Sequence, residues 1–156
     1  MAADTRNFAG AVGIRFRLLD SCTSWTFVSA HLAAHDHNIE QRNADWESIV
    51  SQMIFRRLGK LQQIYDTSFL FVMGDLNYRI NMKSPDKLTL QSLENRLEHN
   101  LPLLFMHDQL RHEKREKRTM HGLKEGTINF KPTYKYIVGT DVYKVHFEEA
   151  LQEIES

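Results

Sequence analysis

Apolar and polar residues alternate near the start of the chain with the two-residue period of a half-buried β-strand. In AVGIRFRLL, residues 11–19, the apolar Val12, Ile14 and Phe16 alternate with small or charged residues. The sequence DSCT then offers turn chemistry, and SWTFVSAHL follows as a second apolar stretch. This order predicts an antiparallel β-hairpin.

The period changes after Asn38, where apolar residues recur at steps of three and four. The recurring positions are Trp46, Ile49, Val50, Met53, Ile54, Leu58 and Leu61. They predict one long amphipathic helix that packs on a sheet and ends before Asp66. The run FLFVM, residues 69–73, is apolar without interruption and predicts a central strand covered on both faces.

The second half of the chain is mainly helical in pattern. SPDKLTLQSLENRLEHN, residues 84–100, predicts a helix with Ser84 as N-cap and Pro85 at its first position, and LPLLFMHDQLRHEKREKR predicts another. An irregular extended segment, INFKPTYKYIVGTDVY, precedes a tail of helical composition, KVHFEEALQEIES. Strands that alternate with helices in this order predict an α/β layered fold, a mixed sheet with helices outside it.

Composition narrows the classes of function. Twenty basic residues balance twenty acidic ones, so no global field favours nucleic acid or an anionic membrane, and any anion site must be local. The single cysteine, Cys22, excludes an internal disulfide framework and a multi-thiolate zinc site. No apolar run approaches the ~18 residues of a membrane span, and the first ten residues lack the apolar core of a signal peptide. We therefore expect a reduced, cytoplasmic setting.

Polar side chains follow the predicted central strand directly. Asp75 and Asn77 come after the strand through Gly74, and His31 ends the strand SAHL. Ligands of open α/β folds favour the carboxyl ends of strands. There an Asp can orient and deprotonate a water, an Asn can hold an oxyanion, and an imidazolium can pair with a phosphoryl oxygen.

Three other clusters could carry chemistry. The loop KPTYKY supplies cationic and hydroxyl donors suited to a phosphate. His31 and His35 invite a zinc site, but their spacing presents both ligands together only on a helix, and this segment reads as a strand. The run RHEKREKR resembles a nucleic-acid patch, yet its two glutamates favour a solvated helix face with ion pairs.

Six stretches in this order resemble the inositol polyphosphate 5-phosphatases: GAVGIRF, FVSAHLAAHDHNIEQRNADW, FVMGDLNYRI, HDQL, EGTINFKPTYKY and GTDVY. The resemblance covers residues 10–143, with an N-terminal tail of residues 1–9 before it and a divergent helical tail of residues 144–156 after it. It implies a partial DNase I-like two-sheet sandwich with outer helices. It also implies Mg²⁺-dependent removal of the 5-phosphate from phosphoinositides, such as phosphatidylinositol 4,5-bisphosphate, or from soluble inositol polyphosphates.

Carried over by position, the resemblance assigns roles to six residues. Asp75 is implied to be the general base or water-orienting carboxylate, Asn77 to contact the scissile phosphate, and His31 to stabilise its charge. The neighbouring 4-phosphate is implied to be recognised by Tyr134 and Lys135. Arg79 is expected to brace the Asp75–Asn77 loop rather than to touch the substrate.

The resemblance also sets expectations about what this chain holds. The family's metal-binding Glu is expected upstream of Met1, and its later Asp-His pair does not occur after GTDVY. The chain is therefore interpreted as the central part of a catalytic domain. The alternatives are a non-catalytic module that binds phosphoinositides or a protein, and another Mg²⁺-dependent phosphoesterase of the same fold. Peripheral membrane contact is compatible with a lipid substrate, and no nucleic-acid partner is expected.

Overall fold

A mixed β-sheet with a helix on one face organises the part of the chain that the computed structural model describes, residues 10–20, 22–81, 101–130, 133–134 and 136–140. The strands are β1 (Ala11–Arg17), β2 (Ser24–His31), β3 (Phe55–Arg57), β4 (Lys60–Gln62) and β5 (Phe69–Asp75). The helices of these residues are α1 (Ile39–Gln52), α2 (Leu101–Met106) and α3 (Gln109–Arg115). None of these helices is long and apolar enough to cross a membrane.

The main sheet has the order β1-β2-β5. β1 and β2 form the predicted antiparallel hairpin, from Ala11 opposite Ala30 to Arg17 opposite Ser24. β5 returns parallel to β2 after the α1 crossover. The mixed sheet predicted from the sequence is confirmed.

The hydrophobic core lies between α1 and one face of this sheet. α1 buries three side chains spaced by four and three residues, Arg42, Trp46 and Ile49, which lie on one side of the helix. The buried apolar cluster consists of Val28, Ala30, Leu32, Trp46, Ile49, Ile64 and Met120. The inward side chains of β2 therefore meet the amphipathic face of α1, as the sequence periodicity predicted.

The opposite face of the sheet carries a ladder of aromatic rings. Trp25 and Phe71 stack with ring centroids 5.8 Å apart, and Phe27 and Phe71 stack at 4.9 Å. Phe71 is 41% exposed and Met73 47% exposed. The prediction that the FLFVM strand is covered on both faces is therefore wrong for the described residues, where only the face toward α1 is buried.

The predicted long helix is also wrong beyond Gln52. α1 ends there, and β3 and β4 follow as a small antiparallel hairpin. Leu58 and Gly59 lie between them with φ of 47° and 77°, the left-handed conformations that a two-residue hairpin turn requires. Leu58 is 91% exposed, so its apolar side chain mimicked the helical period without belonging to the core.

The predicted helix over residues 101–118 is two helices. Asp108 separates α2 from α3, pairs with Ile80 in an isolated β-bridge, and accepts the Arg111 N–H at 2.8 Å as the N-cap of α3. The predicted helix over residues 84–100 and the helical tail lie outside the described residues.

Gly74 allows β5 to lie close to β2. Its φ is +121°, and a Cβ on it would meet the carbonyl oxygen of Ala30 at 2.1 Å and its nitrogen at 2.8 Å. Both contacts are to backbone of the central strand, which cannot move without breaking the ladder. Only glycine fits at this position.

We predict that Gly74→Ala lowers the free energy of unfolding by at least about 3 kcal/mol, because overpacking and a disfavoured φ act together. Denaturant unfolding followed by circular dichroism measures this. Gly126→Ala is the matched control, since nothing lies within 4 Å of the Cβ that alanine would add there. It should change stability by less than about 0.5 kcal/mol. Equal stability of the two variants would contradict the close approach.

Candidate active site

His31 and Asp75 meet at the carboxyl end of the sheet. They are the last residues of β2 and β5 and stand opposite each other in the parallel register. Neighbouring residues of paired strands point to the same face, so both side chains emerge on the face away from α1. His31 Nε2 lies 3.9 Å from Asp75 Oδ2, and the side chains are 71% and 69% exposed. An acid–base pair thus stands open to solvent on this rim.

Asn77 links the loop after β5 to the end of β2. Its backbone N–H donates to Asp75 Oδ1 at 3.2 Å, and its Nδ2 donates to the carbonyl of Leu32 at 2.9 Å. Its φ of 56° is a left-handed conformation that Asn tolerates better than most residues. A primary amide nitrogen has two hydrogens, so the bond to Leu32 leaves one N–H of this amide for another acceptor.

Arg79 contacts the Asp75–Asn77 loop. Its Nη2 donates to Asn77 Oδ1 at 2.9 Å and its Nε donates to the Asn77 carbonyl at 3.2 Å. Asp36 Oδ1 lies 3.7 Å from the same Nε. Arg79 thus lies against the loop that it was expected to brace, and its supporting role stays a prediction.

A layer of polar side chains behind the rim was not singled out from the sequence. Arg42, which is fully buried in α1, donates to carbonyls of the loop after β2. Gln109, the first residue of α3, accepts from Arg42 and from the backbone of Arg79. Asp45 accepts the Ala33 N–H at 2.9 Å. The motifs RNADW and HDQL contained these residues, but only three-dimensional contacts reveal their role.

Tyr78 anchors the same loop from the core side. Its hydroxyl donates to Asn43 Oδ1 at 2.6 Å, and burial raises the pKa of this phenol. Asn43 in turn donates to Glu113 Oε2 at 2.7 Å. Arg118 closes the chain with two bonds to the Glu113 carboxylate, at 2.6 and 2.8 Å. The RHEKREKR segment is therefore tied to the site's support through a buried glutamate. Its more exposed Arg115 contacts only neighbours on its own segment, Glu116 and His112, among the described residues.

The structure describes one of the two residues expected on the 4-phosphate. Tyr134 is 71% exposed, and Lys135 lies outside the described residues. His35 and His37 stack at 6.0 Å. The roles of Tyr134 and Lys135 stay predictions.

The described residues do not complete a metal site. Among them, no group of three or more His, Cys, Asp and Glu side chains could hold a metal ion. Mg²⁺ takes oxygen ligands in near-octahedral geometry, and on this rim Asp75 offers a carboxylate beside an imidazole and an amide. The residues on hand therefore do not fit a Mg²⁺ site by themselves, and no chemical step below runs through a metal.

Sequence comparison shows which known proteins this chain is similar to. The sequence model described as Endonuclease/Exonuclease/phosphatase family 2 matches residues 4–150. The polyphosphatidylinositol phosphatase INP53 of Saccharomyces cerevisiae is 41% identical over 134 residues, which are 86% of this chain and 12% of the yeast protein. The type II inositol 1,4,5-trisphosphate 5-phosphatase of Mus musculus is 37% identical over 85% of this chain and 13% of its own length.

Structural comparison agrees. The inositol polyphosphate 5-phosphatase domain of SPsynaptojanin, solved in complex with inositol (1,4)-bisphosphate and calcium ion, matches with a TM-score of 0.73 and 34% identity. The match covers 87% of this chain and 38% of that domain. The chain thus spans well under half the length of these relatives. The likeness confirms the predicted α/β fold of the DNase I-like type.

The ion pair behind the rim should make stability depend on pH. The Arg118 hydrogen bonds lower the pKa of Glu113, against the opposing effect of burial. A lowered pKa in the folded state stabilises the fold above the ordinary carboxyl pKa of 4.5, and this contribution is lost as the pH falls through the lowered value. Arg118→Gln should therefore be less stable than the wild type at neutral pH, with the difference shrinking in acid.

Thermal unfolding across this pH range measures the effect. Arg115→Gln is the matched control, because Arg115 pairs with the exposed Glu116 at 3.5 Å and such surface pairs contribute little. A constant difference between Arg118→Gln and wild type from neutral to acidic pH would show that the Glu113 ion pair does not act as described.

Proposed function

Because the chain belongs to the Endonuclease/Exonuclease/phosphatase family 2 and its relatives are named inositol polyphosphate 5-phosphatases, we propose that it acts as a phosphomonoesterase on the 5-phosphate of phosphoinositides or soluble inositol polyphosphates. One observation carries the proposal. The parallel register places His31 opposite Asp75 on an open rim, with Asn77 bonded to the same carboxylate.

Asp75 is the group that would orient the attacking water. The Asn77 N–H occupies its Oδ1, which fixes the plane of the carboxylate. Oδ2 faces His31 and is open to solvent. A carboxylate held in this way can accept a proton from a water placed beside it, which is the requirement for general base catalysis.

His31 and Asn77 would hold the phosphate under attack. A protonated His31 would donate its Nε2–H to a phosphoryl oxygen, a charge-assisted bond about twice as strong as a neutral one. The second N–H of the Asn77 amide would donate to another oxygen. Fixed donors around the phosphorus stabilise the charge that builds up in the transition state, and this is the main source of catalysis in phosphoryl transfer.

The metal and the setting belong to the same proposal. The family resemblance implies Mg²⁺ dependence, for which the described residues do not by themselves supply a site. We further propose a cytoplasmic setting with peripheral membrane contact when the substrate is a lipid. A diester-cleaving activity of the same fold is the alternative that the test below separates.

We predict that Asp75→Asn lowers turnover by about 10²–10⁴-fold, because the amide cannot take a proton from water. Stability should change by less than about 0.5 kcal/mol, since the side chain is exposed. Turnover is measured as phosphate release, in the presence of Mg²⁺, from inositol 1,4,5-trisphosphate and from vesicles with phosphatidylinositol 4,5-bisphosphate. Stability is measured by thermal unfolding. Asp20→Asn, a change in the exposed turn after β1, is the control and should retain activity.

Each other outcome of this assay rejects part of the proposal. Near-normal turnover of Asp75→Asn would remove Asp75 from the mechanism. Nicking of DNA without phosphate release would favour a nuclease. Headgroup binding that survives chelation of Mg²⁺, without phosphate release from the wild type, would favour a non-catalytic binding module.

Substrate choice gives a second prediction. If Tyr134 donates to the 4-phosphate, Tyr134→Phe should lower kcat/KM for 4,5-bisphosphorylated substrates by about tenfold or more, the effect of losing a hydrogen bond to a charged group. The kcat/KM for a 5-phosphorylated inositol lipid without the 4-phosphate should fall far less. Tyr136→Phe is the control in the same segment. An equal loss on both substrates would remove Tyr134 from 4-phosphate recognition.

A further inference from the structure

The side chain of Gln109 joins the two loops that follow β2 and β5, the strands that end in His31 and Asp75. Its Oε1 accepts from Arg42 Nη2 at 2.8 Å and from the backbone N–H of Arg79 at 2.9 Å. Its Nε2 donates to the carbonyl of Asp36 at 3.4 Å. Gln109 is only 6% exposed, so these bonds form where water does not compete for them.

On the β2 side, Gln109 accepts a hydrogen bond from the guanidinium of Arg42. This guanidinium also holds the loop after His31. Arg42 donates to the carbonyls of Ala33 at 3.1 Å, His35 at 2.6 Å and Asp36 at 3.1 Å. The four acceptors described for this buried cation are three carbonyls and one amide oxygen, all of them neutral. Burial lowers the pKa of Arg42. Because a buried charge without hydrogen bonds is costly, each of these acceptors constrains where the loop lies.

On the β5 side, Gln109 grips Arg79 at two points. The Arg79 backbone N–H donates to the Gln109 side chain, and the Gln109 backbone N–H donates to the carbonyl of Arg79 at 2.9 Å. The guanidinium of Arg79 bonds the Asn77 side chain, and the Asn77 N–H bonds the Asp75 carboxylate. Gln109 therefore reaches Asp75 through a continuous series of hydrogen bonds without touching it.

We infer that Gln109 is a positioning residue for the phosphatase site proposed above, on which this inference rests. Its one oxygen accepts from Arg79, in the loop after β5, and from Arg42, the α1 side chain that holds the loop after β2. It thereby sets the position of Asn77 and Asp75 relative to His31. A shift of about 1 Å in such a constellation can cost about 10²-fold in rate. Gln109 lies outside the buried apolar cluster that forms the core.

The chemistry of the amide suggests how to test it. Gln109→Leu has a similar volume but lacks both the acceptor and the donor. Gln109→Glu keeps the acceptor oxygens for Arg42 and Arg79, places a negative charge beside the buried cation, and loses only the long bond to Asp36. If positioning depends on the shared oxygen, the glutamate variant should rescue what the leucine variant loses.

The first readout is kinetic. With inositol 1,4,5-trisphosphate as substrate, we expect Gln109→Leu to lower kcat by about 10- to 100-fold while KM changes by less than about threefold, and Gln109→Glu to recover most of the loss. Thr26→Val is the matched control. It removes a fully buried side-chain acceptor, bonded to Arg15 at 2.7 Å near the other end of β2. An equal fall in kcat for Thr26→Val and Gln109→Leu would overturn the inference.

The second readout does not need activity. Hydrogen exchange at the Asn77 backbone N–H, measured by NMR, should accelerate by about tenfold in Gln109→Leu, while exchange at Val28 in the central strand stays unchanged. Unchanged exchange at Asn77 in a folded Gln109→Leu protein would overturn the inference. If the wild type shows no turnover, the proposed function fails, and the exchange comparison still decides whether Gln109 positions this loop.

A variant on the surface covers the case in which Gln109→Leu does not fold. Arg79→Ala removes the next link, and its side chain is 39% exposed. It should accelerate Asn77 exchange by a similar factor. The double variant Gln109→Glu/Arg79→Ala should show the same Asn77 exchange as Arg79→Ala alone. Gln109→Glu keeps the bonds to Arg42 and to the Arg79 backbone, and the effects of substitutions within one series of contacts are not additive. Normal Asn77 exchange in Arg79→Ala would break the series and contradict the inference.

Discussion

The parallel pairing of β2 with β5 is the constraint on which the rest of this structure depends. It places His31 opposite Asp75 and continues beyond the strands, where the Leu32 N–H donates to the Asp75 carbonyl at 3.1 Å. The pairing is possible because Gly74 has no Cβ to strike the Ala30 carbonyl. A register shifted by one residue would turn every side chain of β5 to the other face and would separate His31 from Asp75.

The sheet divides structural and chemical work between its faces. The face toward α1 holds the buried cluster around Val28 and Trp46. The other face carries the aromatic ladder, half exposed, and ends at the rim in His31 and Asp75. Both features follow from the same two-residue alternation, so the positions that carry Phe71 and Met73 also aim Asp75 away from the core.

Polar contacts behind the rim decide the geometry that the strands alone leave open. The loops after β2 and β5 have no regular ladder beyond Leu32, and their carbonyls would be unsatisfied where they are buried. Arg42, Gln109 and Tyr78 supply the partners. Each lies on α1, α3 or the loop itself, so the elements around the sheet hold these loops from behind the rim.

The sequence by itself determined the hairpin, the amphipathic helix, the mixed sheet and the candidates Asp75, Asn77 and His31, because alternation, helical period and strand-end polarity are local patterns. The prediction that Leu58 belongs to the core helix was wrong, since a spacing of three to four residues does not show which side chains are buried. The sequence pattern also did not separate α2 from α3 at Asp108. Only the tertiary structure decided which face of β5 is covered and which side chains join the two loops. Those contacts, such as Arg42 with Gln109, connect residues 67 apart, and no local pattern encodes which distant groups will meet.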